Sequence, residues 1–191
     1  MKNRFFAYVS RMRYIPRWAL MRNSFSENVQ EHSHMVAVLA HALAVIRNEI
    51  FGGSVDAGTV TVAALYHDAT EIITGDMPTP IKYYTPEIKA SYRKVESVAA
   101  DKLLSLLPPE LTDAYRPLLR GTDEETRRIV KAADKLSAHI KCLEELKAGN
   151  LEFKRAAEQT RAALEEMKLP ELDWFMENCM DSFSMTLDEL E

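Results

Sequence analysis

His67 and Asp68 sit in the stretch Ala63-Ala64-Leu65-Tyr66-His67-Asp68-Ala69-Thr70-Glu71, which is apolar and reads as helix. A buried imidazole and carboxylate are costly unless something satisfies them. A divalent metal would satisfy both at once. The dipeptide alone carries little weight, so other ligands must arrive at sensible places.

Helical phase selects them. Over residues 28–50, Val29, His32, Val36, Leu39, Leu43, Ile46 and Ile50 recur at alternating spacings of three and four, which is one buried helical stripe. His32 lies on that stripe. His34 and His41 fall on the opposite face, where solvent or a subunit contact accounts for them. Over residues 56–73, Val60, Ala64, His67 and Glu71 form one stripe, with Asp68 about 100° round from His67. Over residues 123–147, Ile129, Ala133, Leu136, Ile140 and Leu143 point inward, and Asp134 lies at the edge of that face, in line with Val130 and Ser137. A lone core histidine or a paired surface aspartate explains each residue separately. Jointly, that reading makes three helices bury unrelated polar groups. His32, His67, Asp68 and Asp134 together make a mixed nitrogen and oxygen donor set suited to a transition-metal dication. Four protein ligands on an octahedral ion leave positions open, the mark of a catalytic site.

The remaining punctuation predicts an all-α single domain over 1–191. A short amphipathic helix at 4–13 ends before Pro16, and a loop at 14–26 closes on Ser26 as cap. Gly52-Gly53 stops the 28–50 helix. Gly75-Asp76-Met77-Pro78-Thr79-Pro80 is a loop, because two prolines do not fit helix interiors. Further helices are expected at 86–107, broken by Pro108-Pro109, then a shorter one running to about Leu119, and others at 123–147 with Thr122 as cap, at 152–167 and at 171–179. The tail after about 186 is expected to fray.

Composition excludes several function classes. The 191 residues are 47% hydrophobic with a net charge of −5, so nucleic acid finds no general attraction. No run of 18 apolar residues spans a membrane. Cys142 and Cys179 make no disulfide framework and read as reduced thiols of a cytoplasmic protein. Six basic residues from Lys2 to Arg22 precede the first acidic one, Glu27. Such an opening also suits an organelle presequence, but Pro16-Arg17-Trp18 reads as part of the domain. A basic patch in an acidic protein suggests an anionic ligand.

The order His32, His67-Asp68, Asp134 resembles the HD-domain metallophosphohydrolases. Arg17-Trp18-Ala19-Leu20-Met21-Arg22, Asn28-Val29-Gln30-Glu31-His32-Ser33, Tyr66-His67-Asp68-Ala69-Thr70-Glu71, Thr74 to Pro80, Ala133-Asp134-Lys135-Leu136, and Lys141 to Leu146 followed by Gly149-Asn150 resemble the bacterial HD-domain 5′-deoxynucleotidases. Arg17-Trp18 and the Asp76–Thr79 loop point to that branch. The resemblance implies an HD-domain helical bundle, a homodimer and a divalent ion, with Co²⁺ or Mn²⁺ foremost and Zn²⁺, Ni²⁺, Fe²⁺ or Cu²⁺ also accommodated. It implies hydrolysis of deoxyribonucleoside 5′-monophosphates to deoxynucleoside and phosphate. It carries Arg17 over as a phosphate-orienting residue, Trp18 as a wall near the sugar, and Asp76, Met77, Pro78 and Thr79 as substrate contacts, with Asp68 and Asp134 meeting substrate beside the metal.

Those roles make chemical sense. Arg17 offers a planar, always-charged fork for two phosphate oxygens. Glu71, one turn beyond His67, is placed for proton transfer to the leaving alkoxide. Asp76, on a loop stiffened by Pro78 and Pro80, could bind the nucleophilic water or a sugar hydroxyl, and the sequence does not rank the two acids. A triphosphohydrolase or phosphodiesterase of the same superfamily is the alternative enzyme; a non-catalytic metal-stabilised helical module is the alternative outside catalysis.

Overall fold

The computed structural model describes residues 3–82 and 84–191; Lys2, which opens the basic stretch, lies outside them. Ten α-helices occur among the described residues: α1 (Phe5–Val9, continued by a 3-10 turn Ser10–Tyr14), α2 (Val29–Glu49), α3 (Ala57–Tyr66), α4 (Glu71–Thr74), α5 (Thr79–Lys82), α6 (Pro86–Leu104), α7 (Pro109–Arg120), α8 (Glu124–Lys147), α9 (Lys154–Glu165) and α10 (Pro170–Asn178). No strand is present among them, and one isolated antiparallel bridge joins Pro16 to Asn28.

The core follows the apolar stripes. Val36, Leu39 and Leu43 of α2 meet Val60 and Ala64 of α3, Ile129 and Leu136 of α8, and Leu172 and Phe175 of α10 in one buried cluster. Helices α2, α3 and α8, which carry or immediately precede the candidate ligands, therefore share one core. Ile50 departs from the expected stripe: it is exposed, at the C-cap of α2.

Two caps differ from expectation, for the same reason. Asn28, not Ser26, caps α2: its Oδ1 accepts from Gln30 N and Glu31 N, both at 3.0 Å, while Glu31 Oε2 accepts from Asn28 N at 3.2 Å. Asp123, not Thr122, caps α8, accepting from Thr126 N at 2.9 Å. In each case the residue nearest the first turn reaches the orphan N–H groups. At the far end, Thr186 and Glu189 close a 3-10 turn over Leu187–Glu189 with a capping box, where fraying was expected.

The largest difference concerns residues 56–73. They do not form one helix: α3 ends at Tyr66, a turn spans 67–70, and α4 begins at Glu71. The cause is local. In a continued helix Ala64 O would accept from Asp68 N. Instead it accepts from His67 Nδ1 at 2.7 Å and, more weakly, from His67 N at 3.4 Å. The chain tightens into i→i+3 bonds, with Ala69 N donating to Tyr66 O at 3.0 Å and Glu71 N to Asp68 O at 2.9 Å. Gly75 ends α4 at φ +73°, a conformation that strains any residue with a Cβ.

Residues 16–28 form a compact loop with adjoining ends. Arg17 N donates to Glu27 O at 2.9 Å, and Val29 N to Ile15 O at 3.0 Å. This neck stands at the N-terminus of α2, beside His32.

Candidate active site

Four side chains converge. His32 Nε2 lies 3.1 Å from Asp134 Oδ1 and 3.7 Å from Asp68 Oδ2, and His67 Nε2 lies 3.1 Å from Asp68 Oδ2. The imidazole rings are 5.4 Å apart. Exposure is graded: the His32 side chain is at 0%, His67 at 13%, Asp68 at 20% and Asp134 at 36%. His32 is thus the floor of the site, and Asp134 stands at its mouth. The break after Tyr66 is what lets neighbouring His67 and Asp68 face one point.

Second partners fix the rings. A carbonyl can only accept, so His67 Nδ1 donates to Ala64 O, and Nε2 is the nitrogen that carries the second proton or, once that is displaced, a lone pair for an ion. That buried Nε2 makes no hydrogen bond, despite its proximity to Asp68. His32 Nδ1 lies 3.2 Å from Ser137 Oγ, one turn beyond Asp134 on α8. An imidazole anchored through one nitrogen, with the other aimed at carboxylates, is the usual preparation of a metal ligand.

Electrostatics agree. Burial disfavours charge on His67, yet Asp68 and Asp134 outweigh it and push its pKa up to about 9. Asp134 is driven well below the carboxylate range: burial opposes this, and the two imidazoles with Arg17 overcome it. The site calls for positive charge, which a dication would supply while displacing the proton from His67. The orphaned Nε2 and the donor atoms of His32, His67 and Asp68, all within 4.8 Å of one another, fit a divalent ion, and Asp134 adjoins them at 3.1 Å from His32 Nε2.

The loop neck brings the anion-binding group. Arg17 Nη1 reaches Asp68 Oδ2 at 3.5 Å and its Nε donates to Glu27 Oε2 at 3.0 Å, leaving Nη2 without a hydrogen-bond partner among the described residues. The same Glu27 oxygen accepts from Trp18 Nε1 at 3.0 Å. Glu27 therefore locks Arg17 and Trp18 together. Its one sequence signal was its place as the first acidic residue after a basic stretch. Trp18 holds φ at +58°, rare for a bulky residue, and packs on Phe153 with ring centroids 5.3 Å apart.

Glu71 is buried at the start of α4, with Oε2 unpartnered. Burial first, then repulsion from Asp68 and Asp76, raises its pKa to about 9 against the pull of Arg17 and Lys82. In the metal-free site this favours the neutral carboxylic acid at pH 7. Asp76 is also raised, chiefly by burial, with Arg17 pulling the other way. Met77 and Pro78 are half-buried on the following loop, and Thr79 is exposed at the first position of α5. Lys82 was not foreseen: it feels both Glu71 and Asp76 and pairs with Glu96 at 2.7 Å. His34 and His41 are exposed, as their phase required.

The helical bundle, with His32 on α2, His67-Asp68 in the turn after α3 and Asp134 on α8, has the fold of an HD domain. The fold is shared with solved structures. An HD-domain phosphohydrolase from Listeria innocua superposes with a TM-score of 0.80 at 23% identity, covering 94% of this chain and 88% of that one. The cyanophage S-2L HD phosphohydrolase, solved bound to dA and one catalytic Zn²⁺ ion, gives 0.63 at 22%, covering 92% and 96%. A family model for YfbR-like 5′-deoxynucleotidases matches residues 4–183, and the chain belongs to that family. It is 50% identical over 191 residues to a 5′-deoxynucleotidase of Vibrio vulnificus, covering 99% of this chain and 98% of the relative. It is 47% identical over 191 residues to 5′-deoxynucleotidase YfbR of Escherichia coli O1:K1 / APEC, covering 99% and 96%.

Proposed function

We propose that the protein hydrolyses deoxyribonucleoside 5′-monophosphates to deoxynucleoside and inorganic phosphate at the His32–His67–Asp68–Asp134 centre. The observation that carries this reading is the meeting of His32, His67 and Arg17 on one carboxylate, Asp68. A purely structural metal site needs no arginine fork beside it. A dication held by the four residues supplies Lewis acidity toward a phosphoryl oxygen and lowers the pKa of water. Co²⁺ or Mn²⁺ is the preferred ion, with Zn²⁺, Ni²⁺, Fe²⁺ or Cu²⁺ compatible with the same donors.

The chain's own groups do the rest. Arg17 orients two phosphate oxygens and offsets their charge. A water oxygen bonds to phosphorus as the P–O5′ bond breaks. The departing 5′ oxygen takes the proton that neutral Glu71 holds, and the proton released by the attacking water restores Glu71 through solvent. Asp76 binds the attacking water or the sugar 3′-hydroxyl, and Met77, Pro78 and Thr79 flank the sugar. The test is a phosphate-release screen of ribo- and deoxynucleoside monophosphates, with and without Co²⁺ or Mn²⁺. Metal-stimulated release from dAMP supports the reading; triphosphate released from dATP with dAMP inert would assign a triphosphohydrolase instead.

Trp18 is the sugar filter in this reading. Glu27 and Phe153 lock its ring, and on this proposal the ring would exclude a 2′-hydroxyl. Trp18→Ala should raise the AMP/dAMP ratio of kcat/KM by about tenfold or more, the scale of a steric discrimination of 1–3 kcal/mol. An unchanged ratio removes Trp18 from selectivity.

The reading also places the protein in the cytoplasm as a homodimer. No helix among the described residues is long and apolar enough to cross a membrane. Exposed Val38 and Val45 share the outer face of α2 with His34 and His41, which offers a contact surface. A monomeric mass by sedimentation at micromolar concentration would remove the dimer.

A further inference from the structure

The tip of the 16–28 loop has little apolar anchorage, since Ser24, Phe25 and Ser26 are exposed. What holds it is a fully buried carboxylate. Glu145 Oε2 accepts from Ser24 N at 2.8 Å, and Glu145 Oε1 accepts from Phe25 N at 3.1 Å. Lys141, also buried, donates to Glu145 Oε1 at 2.5 Å and to Phe25 O. Asn150 Nδ2 donates to Glu145 Oε2 at 2.8 Å and to Arg22 O at 2.7 Å. These contacts fix backbone atoms of residues 22, 24 and 25, which an apolar side chain could not do.

The clamp stands away from the metal centre. Lys141 and Glu145 are seven and eleven residues beyond Asp134 on α8, roughly 10 and 16 Å along the axis at about 1.5 Å per residue. Its loop nevertheless ends on Arg17 and Trp18. Trp18 sits in the left-handed region, a strained state that persists only where its surroundings over-determine it. Glu27 and Phe153 hold the neck side, and the clamp holds the tip.

We propose that Lys141, Glu145 and Asn150 form a positioning device that seats the 16–28 loop, so that Arg17 and Trp18 meet substrate in register. None of the three touches the reacting atoms. The proposal rests on the assignment of Arg17 and Trp18 to substrate, and the test separates the two.

Asn150→Ala and Glu145→Gln are compared with the parent in a Trp174→Phe background, which leaves Trp18 as the one tryptophan. Four quantities are read: Trp18 emission, KM and kcat for dAMP, the AMP/dAMP ratio, and Co²⁺ affinity. The expected result is a shifted Trp18 emission, a kcat/KM for dAMP lower by about 10- to 100-fold chiefly through KM, a raised AMP/dAMP ratio, and Co²⁺ affinity within twofold of the parent. Asn150→Ala keeps the buried ion pair and provides the readout if Glu145→Gln does not fold. Lowered thermal stability with unmoved KM and ratio overturns the proposal. Trp18→Ala, run in parallel in the Trp174-containing protein, locates the fault. If it alters the ratio while the clamp variants do not, the clamp is wrong. If neither alters it although the emission shifts, the substrate assignment of Trp18 is wrong and the proposal falls with it.

Discussion

Replacing His67 or Asp134 by alanine is expected to cut phosphate release from dAMP by about a thousandfold or more at saturating metal. Lewis-acid stabilisation of a phosphoryl group is worth several kcal/mol, and each ~1.36 kcal/mol is tenfold in rate. Both residues face the same point. His67 is anchored through Nδ1 on Ala64 O and Asp134 lies against His32 Nε2 at 3.1 Å, so each is held with donor capacity left for an ion. His67 Nε2 makes no hydrogen bond, and Asp134 is held ionised by two imidazoles and Arg17. The two variants should differ without metal. His67→Ala removes the positive charge that separates Asp68 from Asp134, so it should lower thermal stability in chelator. Asp134→Ala relieves that repulsion and should lower it less. Parent protein should lose stability on chelation, and His67→Ala should barely respond. Activity of Asp134→Ala within tenfold of the parent would take Asp134 out of the ligand set.

Glu71→Gln is expected to lower kcat by about 10²- to 10⁴-fold, the usual range for loss of a general acid, with KM and metal affinity little changed. Its effect on stability runs the other way. The unfolded chain ionises this carboxyl near its ordinary 4.5, whereas the folded protein holds the proton to about 9. Between those values the folded state binds more protons than the unfolded one, so the group's contribution to stability falls as pH rises. Glutamine carries no such penalty. In metal-free protein at pH 8, Glu71→Gln should therefore melt no lower than the parent, and above it if the buried amide finds a partner. A group kept for folding would show the opposite pair, a lower melting temperature with turnover intact. Near-normal turnover alone would move the proton-transfer role to Asp76.

Much of this was legible in the sequence because helical phase is a local property. The three-four spacing around His32 put it inside and His34 and His41 outside, and burial agrees for all three. The apolar stripes of α2 and α8 and the punctuation by glycine and proline gave an all-helical chain. The order His32, His67-Asp68, Asp134 was enough to suggest a shared ion. Periodicity failed at residues 67–70, where it extended a helix that the structure breaks. That break depends on a side-chain nitrogen capturing Ala64 O, an event no residue pattern records. The caps were missed by one or two residues, because several capping types stand side by side before α2 and α8.

The inward position of His32 and the edge position of Asp134, then, were determined by sequence, since both lie within helices of 3.6 residues per turn. The relations among the site residues were decided by the tertiary structure. Glu27 bridging Arg17 to Trp18, Ser137 behind His32, Lys82 beside Glu71 and Asp76, and Glu145 beneath the loop tip all join segments distant in the chain or oriented by a turn. The protonation states belong there too. A carboxyl held neutral to about 9 and an aspartate held ionised differ only in burial and in the charges facing them, and both are set by packing.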